Sequence, residues 1–177
     1  MIPGSDAEEV KNGMEPVANG DGEIAEVAQS VLEELLTRMG VAASVVAQSG
    51  APAEEGEAAN PATLDIEGDD LGILIGRRGQ TLASLQYIVR LIVGHRTEFW
   101  KPVVIDVEGY KQRRYERLQS LAWRLAEQVK VRREPFTLEP MFAYERRIIH
   151  LALADHDDIT TESIGEGESR RVVIRLK

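Results

Sequence analysis

The sequence predicts an α+β protein built from two small modules in tandem, and three observations carry that reading. Over residues 23–107 the apolar positions change between helical and strand spacing in the order helix, strand, strand, helix, helix, strand. A doubly basic turn bracketed by glycines, Gly76-Arg77-Arg78-Gly79, separates the two middle helices. Over residues 108–177 a long helix, a short strand and a second helix lead into two strands joined by a glycine-rich turn. A chain of 177 residues with 43% hydrophobic content is long enough to bury cores of this kind.

Residues 1–22 are rich in Gly, Glu, Asp, Asn and Pro and have no apolar period, which predicts a disordered acidic tail. From Ile24 the positions Val27, Ala28, Val31, Leu32, Leu35, Leu36 and Met39 complete the stripe of an amphipathic helix, with Gly40 as its stop. Val41 to Gln48 is β-branched and strand-length. Ser49 to Asn60 is an Ala/Glu/Gly/Pro loop, and Thr63 to Glu67 alternates as a half-buried strand does. A short helix over 70–75 runs into the glycine turn. The next helix spans about 80–93, with Leu82, Leu85, Val89 and Ile92 inward and Gly94 as its end. Residues 102–107 form a nearly continuous apolar strand, expected to be buried on both faces.

In the second module, residues 108–133 read as one long helix with Leu118, Leu121, Ala122, Leu125 and Val129 inward. Its other face carries Lys111, Arg113, Arg114, Arg117 and Arg124. Residues 135–138 read as a strand stopped at Glu139-Pro140, 141–154 as a helix, and 159–164 and 170–176 as strands. The turn between those two strands is Gly165-Glu166-Gly167-Glu168-Ser169.

The chemistry concentrates in two places. Glycines at both ends of the 76–79 turn allow backbone angles closed to other residues and a close approach by another backbone. The helix that opens at Gln80 turns its free N–H groups and positive dipole end toward the turn, an arrangement suited to an anion. Arg77 and Arg78 add forked donors that match phosphate. By itself the motif also fits an ordinary helix–helix turn, and it is no nucleotide P-loop, because G-x-x-x-x-G-K-[ST] is absent. The second place is Tyr144-Glu145-Arg146-Arg147-Ile148-Ile149-His150, where Arg146 and His150, four apart, share a helix face. That pair suits two adjacent phosphates, or one phosphate and a stacked base. A surface Arg beside a satisfied His is the plainer alternative.

Charge is divided unevenly along the chain. The net charge of −9 comprises −14 over residues 1–70 and +5 over 71–177, and the stretch 77–150 alone carries +7. The basic excess therefore begins at the glycine turn, where a phosphate footprint belongs. With no cysteine, disulfides and thiolate metal sites are excluded, which suits a reducing compartment. No apolar run is long enough for a membrane span or a signal peptide. His150, Asp155, His156, Asp157 and Asp158 resemble metal ligands only loosely, and the aspartates read as turn residues between a helix and a strand. Trp100, Trp123 and Tyr110 are either stacking platforms or core.

The order of elements in 23–107, with Gly76 to Gly79 between the central helices, resembles the bacterial (type II) KH domain, α-β-β-α-α-β. Residues 108–177, with Glu139-Pro140-Met141, Tyr144 to His150, Gly165-Glu166-Gly167 and Arg170-Arg171, resemble the R-three-H domain, which has two helices and a three-stranded sheet. Together with Gly72 to Leu82, Leu85-Gln86-Tyr87 and the junction Asp106 to Tyr110, residues 23–177 resemble the Jag (KhpB) family of bacterial RNA-binding proteins, also called SpoIIIJ-associated. Many members carry an N-terminal Jag domain, and residues 1–22 are too short and irregular for one. The resemblance implies a cytoplasmic, non-enzymatic protein that binds single-stranded RNA, or single-stranded DNA, and acts post-transcriptionally in cell envelope growth and division. It also implies a small single-KH protein as partner, and no cofactor or metal. The expected contacts are Ile75, Gly76, Arg77, Arg78, Gly79, Gln80 and Leu82 in the KH half and Arg146, Arg147 and His150 in the other. Ile73 and Leu85 are further candidates for an apolar base groove. A protein-interaction scaffold on the KH fold, or a nuclease using His150, are the alternatives in other classes.

Overall fold

The computed structural model describes residues 20–48, 62–97 and 102–177. The expected tail up to residue 19, the loop 49–60 and Trp100 lie outside the described residues. The first module contains helix α1 (Gly20–Arg38), strands β1 (Ala43–Gln48) and β2 (Ala62–Gly68), and the short helix α2 (Gly72–Ile75). One 3-10 turn (Arg77–Gly79), helix α3 (Gln80–Thr97) and strand β3 (Val103–Val107) complete it. Helix α1 starts inside the segment expected to be disordered.

Ile24, Ala28, Val31, Leu32 and Leu36 form the buried stripe of α1. The helix stops at Gly40, whose φ of +71° is costly for any residue with a Cβ. There the Val41 N–H bonds Leu36 O and the Gly40 N–H bonds Thr37 O, each at 3.0 Å, a Schellman closure. On α3, Leu82, Leu85, Val89 and Val93 are buried. Gly94 does not end α3, contrary to the sequence expectation. The helix continues for three residues, held by the buried Val93, by the Thr97 hydroxyl on Val93 O at 2.9 Å and by Arg96, 3.6 Å from Glu34 of α1.

The strands form one sheet in the order β1-β2-β3, with β1–β2 antiparallel and β2–β3 parallel. This order corrects the expectation for β3, which is an edge strand with Val103, Ile105 and Val107 buried and Val104 and Asp106 only half-buried. Helix α3 covers the exposed edge. Its Gln86 carbonyl accepts from the Ile105 N–H at 2.9 Å, and its Arg90 donates to Val103 O at 2.6 Å. Pairing an edge with side chains removes its free N–H and C=O groups from competition for another strand.

The second module contains helix α4 (Tyr110–Arg132), strand β4 (Phe136–Thr137), helix α5 (Ala143–Ala152) and strands β5 (Ile159–Ile164) and β6 (Arg171–Leu176). The sheet order is β4-β6-β5, antiparallel throughout. Leu118, Ala122, Leu125, Ala126 and Val129 of α4 meet Ile149, Leu153, Ile159, Val172 and Ile174 in a core separate from that of the first module. Two residues, Glu108 and Gly109, separate β3 from α4. The Asp106 carboxylate bridges this junction, accepting from the Val107 N–H at 2.8 Å and the Lys111 N–H at 3.2 Å.

Candidate nucleic-acid interface

The 76–79 turn needs both of its glycines. Gly76 has φ +67° and ψ −169°, a region essentially reserved for glycine, and an added Cβ would run into the Thr81 side chain. Gly79 has φ +79°, and a Cβ there would lie 3.0 Å from the ring of Tyr110. Tyr110 is thus neither core nor stacking platform alone: half-buried against the first core, it forms the floor of the turn. Arg78 adopts φ 56°, ψ 32°, left-handed without being glycine.

The two arginines of the turn point to different surroundings. Arg77 is exposed. Arg78 is half-buried, donates to Pro140 O at 3.0 Å and forms an ion pair with Glu139. Both partners belong to the loop before α5, so the turn of one module is tied to the loop of the other. Between them lies a cleft of about 540 Å³. Arg77 and Gln80 line it from the first module, and Phe142 and Arg146 from the second, with Glu168 of the β5–β6 turn at its rim. The Arg146 Nε is buried and has no hydrogen-bond partner among the described residues.

His150 stands elsewhere. Its ring nitrogens contact the hydroxyls of Thr161 at 2.6 Å and Ser163 at 2.8 Å, so β5 uses both. Burial first, then the charges of Arg146 and Arg170, push its pKa below the ordinary value of 6.5. A neutral imidazole held in this way does not supply a second cation beside Arg146. Arg147 is on the exposed face of α5.

Of the apolar candidates, Leu82 and Leu85 are 3% and 6% exposed and belong to the core. They cannot line a groove, because the α3 stripe that carries them is the one packed on the sheet. Ile75 is half-buried against the same core, whereas Ile73 is 71% exposed beside the turn. The His150/Asp155–158 cluster is dispersed. Asp158 lies 3.5 Å from Lys130, His156 packs against Trp123, and among the described residues no group of three potential ligands converges on a metal position. Trp123 itself is half-exposed.

Three features were not legible as site elements. Glu145 is fully buried; it accepts from the Phe142 N–H at 3.1 Å, anchoring the start of α5, and pairs with Arg114 of α4 at 2.7 Å. The helix expected from Met141 consequently begins at Ala143. The Arg78–Glu139 pair gave no signal, because the partners are far apart in sequence. Phe142, stacked on Tyr144 at 5.8 Å, gains its place in the cleft from the same α5 start. A second groove of about 610 Å³ runs along α4 beside Arg113, Arg117 and Arg124, with Arg113 also donating to Glu108 O.

A glycine turn of this geometry between α2 and α3, followed by a helix-and-sheet module bearing Arg146 and His150, defines a KH protein with an appended R-three-H domain. Residues 29–106 match the KH domain described for KhpA/KhpB, and residues 116–176 match the R-three-H domain. The chain is 42% identical over 146 residues to the RNA-binding protein KhpB of Clostridium symbiosum and 41% identical over 114 residues to that of Bacillus subtilis (strain 168). It is 34% identical over 116 residues to the KhpB of Lactiplantibacillus plantarum. These alignments cover 82%, 63% and 66% of the chain, and 63%, 55% and 36% of the three relatives. The chain belongs to the KhpB/Jag family. Among the described residues no helix is long and apolar enough to cross a membrane.

Proposed function

We propose that the protein binds single-stranded RNA along a path that runs from the glycine turn into the cleft between the modules. One observation carries this reading. Arg77 and Gln80 of one module and Arg146 of the other line the same cleft. Two cations lining one cleft from opposite modules suit a polyanionic strand. The turn engages the backbone of about four nucleotides, as KH modules do, with exposed Ile73 beside it for a base. Phe142 offers a ring to the nucleotide that enters the cleft. His150 holds the surface around Arg146 in place through its two hydroxyl contacts. The relatives, described as RNA-binding proteins, support the same ligand.

Within this reading the protein acts without catalysis in the cytoplasm, post-transcriptionally, on transcripts of envelope growth and division, with a small single-KH protein as partner. Single-stranded DNA is the competing ligand. The test compares a tetranucleotide with a twelve-nucleotide strand, each as RNA and DNA, over a salt series. Arg77→Ala should weaken both lengths and lower the log–log salt slope by roughly 0.7, one phosphate contact. Arg146→Ala should weaken only the longer strand, with a similar loss of slope. Equal affinities of both variants and the parent for the long strand would remove the cleft from the binding path.

A further inference from the structure

We propose that Arg78 is a positioning residue, tying the glycine turn to the second module, and that of the two turn arginines only Arg77 contacts the phosphate of a bound strand. The Arg77 half of this statement rests on the RNA-binding reading above; the Arg78 half does not. The side chain of Arg78 is only 29% exposed, and its guanidinium makes two contacts with one loop, to Pro140 O at 3.0 Å and to the Glu139 carboxylate. A planar fork can serve a carbonyl and a carboxylate together, whereas a lysine ammonium lacks that fixed geometry.

The backbone points the same way. Arg78 sits at φ 56°, a conformation that L-residues rarely adopt and that persists where surroundings hold it. The contacts with Glu139 and Pro140 are such a hold. Gly79, immediately after, leaves no room for a Cβ beside the Tyr110 ring at the start of α4, so consecutive turn residues reach the second module by two routes. Arg78 and Pro140 both line the cleft, which makes their bond a fixed distance between its walls. Arg77 and Gln80 on one wall and Arg146 and Phe142 on the other are thereby set apart before any ligand arrives. Such preorganisation raises affinity for a strand long enough to touch both walls and does nothing for one that touches only the turn.

The experiment uses the full chain and has two readouts. In the RNA-free protein, Arg78→Ala and Glu139→Ala should each speed amide hydrogen exchange at Met141 and Phe142 by about tenfold, with the β2 amides unchanged. In binding, both variants should keep tetranucleotide affinity within about twofold and lose about tenfold on a twelve-nucleotide strand, with the salt slope of the parent. The swap Arg78→Glu with Glu139→Arg conserves net charge and should restore slow exchange and most of the long-strand affinity. Arg78→Ala weakening the tetranucleotide and flattening the slope, as Arg77→Ala does, would make Arg78 a phosphate ligand and overturn the proposal. Unchanged exchange at Met141 and Phe142 in both single variants would overturn it as well. If the parent chain bound no RNA, the functional reading would fail, and the exchange data would still decide whether Arg78 ties the modules.

Discussion

At the scale of single residues, His150 is held through both of its ring nitrogens. Thr161 and Ser163 occupy both ring nitrogens, and each hydroxyl can donate or accept, so these bonds fix the ring without choosing its charge. Its pKa lies below the ordinary 6.5 because of burial, with Arg146 and Arg170 adding to the shift. Since the unfolded chain then binds more protons than the native one, the contribution to stability is complete above about pH 6.5. It is lost as the pH falls from there toward the folded pKa. Thermal unfolding of the parent should therefore drop more between about pH 7.5 and pH 5.5 than that of His150→Gln, whose amide also bonds hydroxyls but does not titrate. Parallel pH profiles for the two proteins would show that protonation of His150 is not coupled to folding.

At the scale of elements, the order of helices and strands in both modules is legible in the sequence because each apolar period is long enough to be unambiguous. The Ile24–Leu36 stripe is an example. The errors fall where tertiary contacts override local signals. Gly94 lies within α3 because the helix is already docked, and Met141 lies outside α5 because Glu145 anchors the helix start at Phe142. Leu82 and Leu85 look the same in sequence whether they face the sheet or a groove, and only packing separates them from Ile73. Helix α3 also keeps a second face, on which Tyr87, Ile88 and Leu91 are 63%, 46% and 43% exposed. These three side chains are the surface of α3 on which the partner proposed above is tested. If the small single-KH protein docks there, Ile88→Asp should abolish the complex in analytical ultracentrifugation and leave twelve-nucleotide RNA affinity within about twofold, since the face is not part of the cleft. A complex that survives Ile88→Asp would place the partner elsewhere.

At the scale of the whole molecule, two cores with no residue in common are joined at a two-residue junction. Asp106 and Arg78 bridge them through polar contacts, and Tyr110 at the start of α4 packs against the first core. Each module can therefore keep its own stability while the cleft between them stays aligned. The Arg114–Glu145 pair makes this testable, because it lies wholly inside the second module with Glu145 fully buried. Arg114→Ala leaves that carboxylate without its counter-charge, a change that costs about 3 kcal/mol when a buried pair loses one member. The loss should fall on the second module alone. Scanning calorimetry of the variant should resolve a second-module transition at lower temperature, with the first-module transition in place. Amide exchange at Leu64 and Ile66 of β2 should match the parent, while exchange at Val172 and Ile174 of β6 accelerates. A single transition that moves as a whole, with β2 and β6 exchange rising together, would mean that the bridges at Asp106, Tyr110 and Arg78 weld the modules into one cooperative unit.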